Sequence, residues 1–171
     1  MCSYYIIEPQ TDTWIGTSDG EVTGKRNRPT LSLSTIPTGA VGGLFATIVM
    51  TAFREPTARA LPPTAEFLSQ YLGGEREDYF LSSFVLHFLY GITAGTVFGP
   101  VLAAVDRERT HPEAIGLLVG GVYGLVLSVF GDRVVLSGIL DMELATDESA
   151  VFHAGHLIYG LALGAWVGSR S

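Results

Sequence analysis

Three histidines stand inside otherwise apolar runs, and imidazole is the first group in this chain that could do chemistry. His153 and His156 are three residues apart, so on a helix both project to the same side. His87 lies in a separate apolar run. If the two runs pack together, His87, His153 and His156 form a candidate metal site, because zinc and copper both accept neutral imidazole. No acidic residue or cysteine lies within the runs to complete the set, and Asp147 and Glu148 stand only in the stretch before the last run. The plainer expectation is that no cofactor is bound and that His87 and His156 hydrogen-bond across the bundle, or to Tyr90 and Tyr159. His111 precedes Pro112 at the start of a further run and reads as a helix-start residue.

Two of these histidines belong to a repeated pattern. His87-Phe88-Leu89-Tyr90-Gly91 is followed by Gly95 and Gly99, and His156-Leu157-Ile158-Tyr159-Gly160 by Gly164 and Gly168. Both obey H-x-x-Y-G-x-x-x-G-x-x-x-G. Residues four apart share a helical face, so each histidine sits on a stripe of glycines. Small residues let helix backbones approach closely in a membrane, where lipid supplies little hydrophobic drive for association. Gly116, Gly120 and Gly124 form a third stripe, and Gly39, Gly43, Thr47 and Thr51 a fourth. The spacing predicts that the runs holding His87 and His156 face each other through their glycines. That closeness leaves no room for haem between the two histidines.

Four apolar runs must position these groups: 36–53, 80–105, 114–134 and 150–168. A helix needs about 20 apolar residues to cross the hydrocarbon core, with a range of about 17–25. The expected fold is therefore all-alpha: a four-helix transmembrane bundle built from two helical-hairpin repeats over 36–171. A polar tail occupies 1–35, with short strand-like stretches at 13–16 and 31–33. Between the first two spans, Pro63 to Leu72 places Phe67, Leu68, Tyr71 and Leu72 on one face before Gly73-Gly74, as a cap or interface anchor would. Residues 134–140 are apolar but too short to cross, and are expected to end the third span as a looser turn or to lie in the interface. Thr146 or Ser149 is expected to cap the last helix. Trp166 and Arg170 read as an interface anchor.

Charge sets the expected orientation. Lys25, Arg26, Arg28, Arg107, Arg109 and Arg170 fall on one side of a four-span chain, and Arg54, Arg59, Arg76 and Arg133 on the other. The excess of positive charge places both termini in the cytoplasm and the protein in the cell membrane as a multi-pass chain. The opening 1–9 segment lacks the basic region and long apolar core of a cleavable signal, so the first span is expected to serve as insertion signal. Cys2 is the single cysteine, so no intrachain disulfide can form.

The net charge is −7 over 171 residues, yet Lys25 is the only lysine beside nine arginines. No basic patch exists to neutralise phosphates, which excludes nucleic acid as a partner. Membrane lipid is the expected surround, with a membrane-protein partner or a second copy as further partners. The acidic, lysine-poor composition, Gly39 to Gly43, and the two motif copies resemble small four-span integral membrane proteins of haloarchaea. The resemblance spans about residues 36–168 and implies no catalytic residue or substrate.

No nucleophile elbow, phosphate loop or H-E-x-x-H is present, so an enzyme is less expected than a non-enzyme, the three histidines being the one argument for a metalloenzyme. The expected role is a structural or accessory subunit of a membrane complex. A small solute or ion transporter or channel is the alternative, with Thr47, Thr51, Thr93, Thr96 and Ser128 as a thin polar path. A histidine-ligated metal or redox protein is the other.

Overall fold

The computed structural model describes residues 35–58, 61–105 and 111–170. Cys2, the strand-like stretches at 13–16 and 31–33, and the basic residues Lys25, Arg26, Arg28, Arg59, Arg107 and Arg109 lie outside them. Among the described residues all regular structure is helical: α1 (Thr35–Ala58), α2 (Pro63–Leu72), α3 (Phe80–Val105), α4 (Pro112–Phe130) and α5 (Thr146–Gly168), with a 3₁₀ turn at Arg76–Tyr79 and a π-helical segment at Gly131–Ile139. Helices α1, α3, α4 with its π extension, and α5 are each long and apolar enough to cross a membrane. The chain is a multi-pass, all-alpha membrane protein.

Its outer surface carries many large apolar side chains. Val41 and Ile48 on α1, Leu81 and Val97 on α3, and Leu118 and Val126 on α4 are exposed. In lipid such a surface needs no polar cover, so hydrophobicity alone cannot say which face of a helix turns inward. Glycine does say it. A Cβ built on Gly39 or Gly43 would strike the carbonyl of Gly95 or Gly91 respectively, and one on Gly95 would strike that of Gly39. On the other side, Gly120 and Gly160 would each strike the other's carbonyl, and Gly164 would strike that of Gly116. The backbones therefore touch along both seams, α1 on α3 and α4 on α5.

This arrangement corrects the expectation that the glycines of α3 and α5 face one another. Those two helices touch only sparsely. Each stripe has a complementary stripe on its nearest neighbour in sequence, Gly39 and Gly43 for α3, and Gly116, Gly120 and Gly124 for α5. The two hairpins instead join mainly through α1 and α5, around Ala46, Met50, Phe98, Leu102, Tyr159, Leu163 and Val167.

The ends of the bundle differ. At one, Trp166 stacks on Phe45 at 5.0 Å between ring centroids, and the Arg170 guanidinium lies 3.5 Å from the centre of the Trp166 ring. At the other, α2 lies beside α3. Pro63 starts it, since a proline at the first turn needs no N–H partner. Gly73 and Gly74, at φ +81° and +85°, end it in a conformation that suits glycine. Thr64 Oγ1 ties it to the Ser83 carbonyl at 2.7 Å, while Phe67, Tyr71 and Leu72 stay exposed. The π-helical segment lays Leu136 and Leu140 against Phe152 of α5. Ala145, with no capping side chain, precedes α5; Glu148 accepts the Ala145 N–H at 3.3 Å, so neither Thr146 nor Ser149 serves as the cap.

Candidate functional site at the α2 end of the bundle

The three histidines lie within electrostatic reach in succession, His87 of His156 and His156 of His153, but they do not converge as one ligand set. His153 Nδ1 is hydrogen-bonded to Ser128 Oγ of α4. His156 Nδ1 is 2.9 Å from the Phe152 carbonyl one turn back. A carbonyl can only accept, so that nitrogen carries the proton. The His156 ring also rests on Phe152, with centroids 4.4 Å apart. His87 stands on α3 against Phe88, and α3 meets α5 only sparsely. Among the described residues no group of three or more histidine, cysteine or carboxylate side chains is placed to hold a metal ion. The zinc or copper reading of His87, His153 and His156 is thereby overturned. The i, i+3 spacing put two imidazoles on one helix, but Ser128 and the Phe152 carbonyl take a ring nitrogen of each.

Ser128 and His153 resemble a nucleophile with its base, yet Ser128 is wholly buried, out of reach of a substrate. The threonines of the expected polar path are also self-contained. Thr47, Thr51, Thr93 and Thr96 each donate to a carbonyl four residues back on their own helix, at 2.7–2.8 Å.

The group that sequence reasoning passed over is Arg54. It closes the first span, where it entered only as a loop charge. Its stem runs beside Gly155 of α5, so that a Cβ there would lie 3.6 Å from Arg54 Cγ and Cδ. Its Nε is buried and makes no hydrogen bond to the described residues. A buried donor left unpaired costs about 1–3 kcal/mol, and more when charged. Arg54 lies within electrostatic reach of both His87 and His156. A lone arginine at the end of an apolar run was the available signal.

Arg54 borders a cavity of about 760 Å³. Its polar lining also includes Glu66 of α2, Arg76 and Glu77 of the 3₁₀ turn, and Asp147 and Glu148 of α5. Phe80, Met142, Leu144, Val151 and Phe152 supply apolar wall. Arg76 is already paired, its Nε 3.3 Å from Glu66 Oε2. The cavity is thus lined by Arg54, whose buried Nε has no partner among the described residues, by three further carboxylates, and by an apolar surface. Such a site can bind; among the described residues that line it, no nucleophile is paired with a base. Comparison with family models, with curated proteins and with solved structures found no match.

Proposed function

We propose that this protein is a structural or accessory subunit of a membrane complex and not a channel or transporter. The observation that carries the reading is the state of the interior polar groups. The threonines named for a polar path turn their hydroxyls back onto their own helices, and Ser128 is taken by His153. Phe98, Leu102 and Leu163 fill the space between the hairpins. A conducting path needs polar groups free to replace an ion's water, and these are not free. Co-purification from native membranes in mild detergent should recover the chain with a fixed membrane partner. Purification alone, together with specific solute or ion flux in proteoliposomes above that of empty vesicles, would defeat the reading.

Three further readings belong with it. The chain is built from two related hairpins, a reading supported by the two H-x-x-Y-G motifs and by a glycine seam within each half. Both termini are cytoplasmic, supported by six basic residues on that side against four on the other. Cysteines introduced at Ser18, Ser69 and Thr146 in a Cys2→Ser background test this: an impermeant reagent should label the last two and spare the first. A haloarchaeal origin is supported by the acidic, lysine-poor composition. Salt screens repulsion among such carboxylates, so the melting temperature in detergent should rise from low to molar salt.

A further inference from the structure

Helix α2 turns its large apolar side chains away from the bundle. Phe67 and Tyr71 are four apart and share a face, with their ring centroids 4.8 Å from each other. They are 38% and 59% exposed, and Leu72 at the end of the helix is 69% exposed. What α2 presents to the bundle is small. Ala65 is its one buried residue, and Thr64 Oγ1 donates to the Ser83 carbonyl at 2.7 Å. That bond sets the level of the helix. Ser83 lies in the first turn of α3, and Leu81 and Val85, on the turns around it, are already exposed apolar side chains. Helix α2 therefore begins at a depth where α3 is clad for lipid, and not above it. Glu66, Ser69 and Gln70, at helical spacing, form its polar side, and Glu66 is held there by Arg76, 3.3 Å away.

An apolar face of this size gains by leaving water, and two surfaces are at hand to cover it. One is a second copy of the chain. An isologous contact through α2 would draw together two copies of the acidic turn Glu75, Glu77 and Asp78, like charge on like charge. The other is the bilayer, whose contact surface on α3 begins at the level of α2. We propose that α2 lies in the boundary between headgroups and acyl chains, with Phe67, Tyr71 and Leu72 turned into lipid and the Glu66–Gln70 side turned to headgroups and water. Tyrosine suits that place, since its ring is apolar and its hydroxyl polar. The acidic turn offers nothing to anionic headgroups, so apolar contact alone holds the helix down. The loop of the second hairpin fits the same picture. Its π-helical segment Gly131–Ile139 exposes Val134 and Ile139, and Met142 and Leu144 just beyond it share a cavity with Ala65 and Glu66 of α2, so both loops stand at one end. The proposal rests on the chain crossing a membrane and not on the accessory role argued above.

The test uses the full chain in a Cys2→Ser background, reconstituted in phosphatidylcholine vesicles. Single cysteines carrying a nitroxide replace Gln70, Tyr71, Leu72 and Glu75 in turn; all four positions are exposed, so the label displaces no packed neighbour. Collision of each label with oxygen, which concentrates among acyl chains, is compared with collision with a water-soluble nickel chelate present on both sides of the membrane. The ratio gives the depth of the label. Labels at Tyr71 and Leu72 should favour oxygen and lie about 5–10 Å inside the boundary, the depth of an interfacial helix. Labels at Gln70 and Glu75 should favour the nickel chelate. A nickel preference at Tyr71 and Leu72 equal to that at Glu75 would overturn the proposal and leave α2 in water. Weak collision with both reagents at Tyr71 and Leu72 would overturn it in favour of a second copy, the only other protein surface in the vesicle. An oxygen preference equal at all four positions would overturn the assignment of a lipid side and a water side to the helix.

Discussion

Tyr90 and Tyr159 hold the same place in the two copies of H-x-x-Y-G, yet Tyr90 is 40% exposed and Tyr159 only 4%. The histidines differ in the same direction, His87 half-buried and His156 buried. Position in the bundle explains it. Helix α5 packs on α4 along its glycines and on α1 along its other flank, whereas α3 leans chiefly on α1. The second copy is enclosed and the first is peripheral. Tyr159 uses that enclosure: its hydroxyl crosses between hairpins and donates to the Gly91 carbonyl, at 2.6 Å, inside the other copy of the motif. Tyr123 makes a second crossing, to the Ala94 carbonyl at 2.8 Å. A repeated motif thus sets where the backbones can touch, and the number of neighbouring helices decides what each tyrosine does.

The largest test of this contrast lies in the seams. Gly160→Leu should prevent monodisperse folding, because a side chain there meets the Gly120 carbonyl while α5 is held on its other flank by α1. Gly95→Leu meets the Gly39 carbonyl, but α3 has free space on its lipid side and can move outward. Overpacking costs about 1–3 kcal/mol and occasionally more. Gly160→Leu should stand at or above the top of that range and Gly95→Leu lower within it, as read by yield and thermal melting in detergent. Equal loss in both would show that α3 is as confined as α5.

Next in size is the pair of tyrosines. Tyr159→Phe removes a buried hydroxyl that bridges the hairpins, while Tyr90→Phe alters an exposed one. Hydrogen bonds within membrane bundles contribute about 0.6 kcal/mol on average and about 1.7 at most. Tyr159→Phe should lower stability by an amount in that range, and Tyr90→Phe by less than can be resolved. A larger loss from Tyr90→Phe would mean that its hydroxyl is hydrogen-bonded to a partner or second copy. Ser128→Ala should fall between them, since it leaves His153 Nδ1 without its hydroxyl partner.

How much of this was legible beforehand depended on what lipid leaves distinguishable. Run length gave the number of spans, and the small residues Gly39, Gly95, Gly120 and Gly160 marked the helix faces that meet. The pairing of those faces was not legible, because four similar glycine stripes fit several partnerships, and only the order of helices in space selects among them. The apolar face of Phe67, Leu68, Tyr71 and Leu72 was legible on α2, but not that Phe67, Tyr71 and Leu72 would stay exposed, since that depends on how α2 lies against α3. The histidines misled for a definable reason. Spacing fixes the direction of a Cβ on its helix, but the hydrogen-bond partner that captures the ring, Ser128 or the Phe152 carbonyl, comes from the packed bundle. Arg54 was visible as a charge, but its burial depends on Gly155, about a hundred residues away in sequence.

The smallest effect expected is that of Thr93→Val, and its contrast with Thr47→Val separates the two faces of the first hairpin and bears on the transport alternative. Thr47 is 1% exposed and sits where a Cβ of Gly91 would fall, with its hydroxyl on the Gly43 carbonyl. Thr93 makes the same kind of bond to Leu89, but on an exposed face of α3. A valine places a methyl where the hydroxyl was, and a methyl is the bulkier group. At Thr47 it presses on the α3 backbone, so Thr47→Val should cost about 1 kcal/mol, at the lower end of overpacking penalties. At Thr93 it meets lipid, and a back-bonded hydroxyl supports its helix little, so Thr93→Val should stay within about 0.5 kcal/mol of the parent. Neither change should create or remove ion flux in proteoliposomes if these hydroxyls serve only their own helices. A flux present in the parent and altered by Thr93→Val would instead place that face of α3 along a conducting path, formed with a second copy or another subunit, and would overturn the reading of that face as one that meets only lipid.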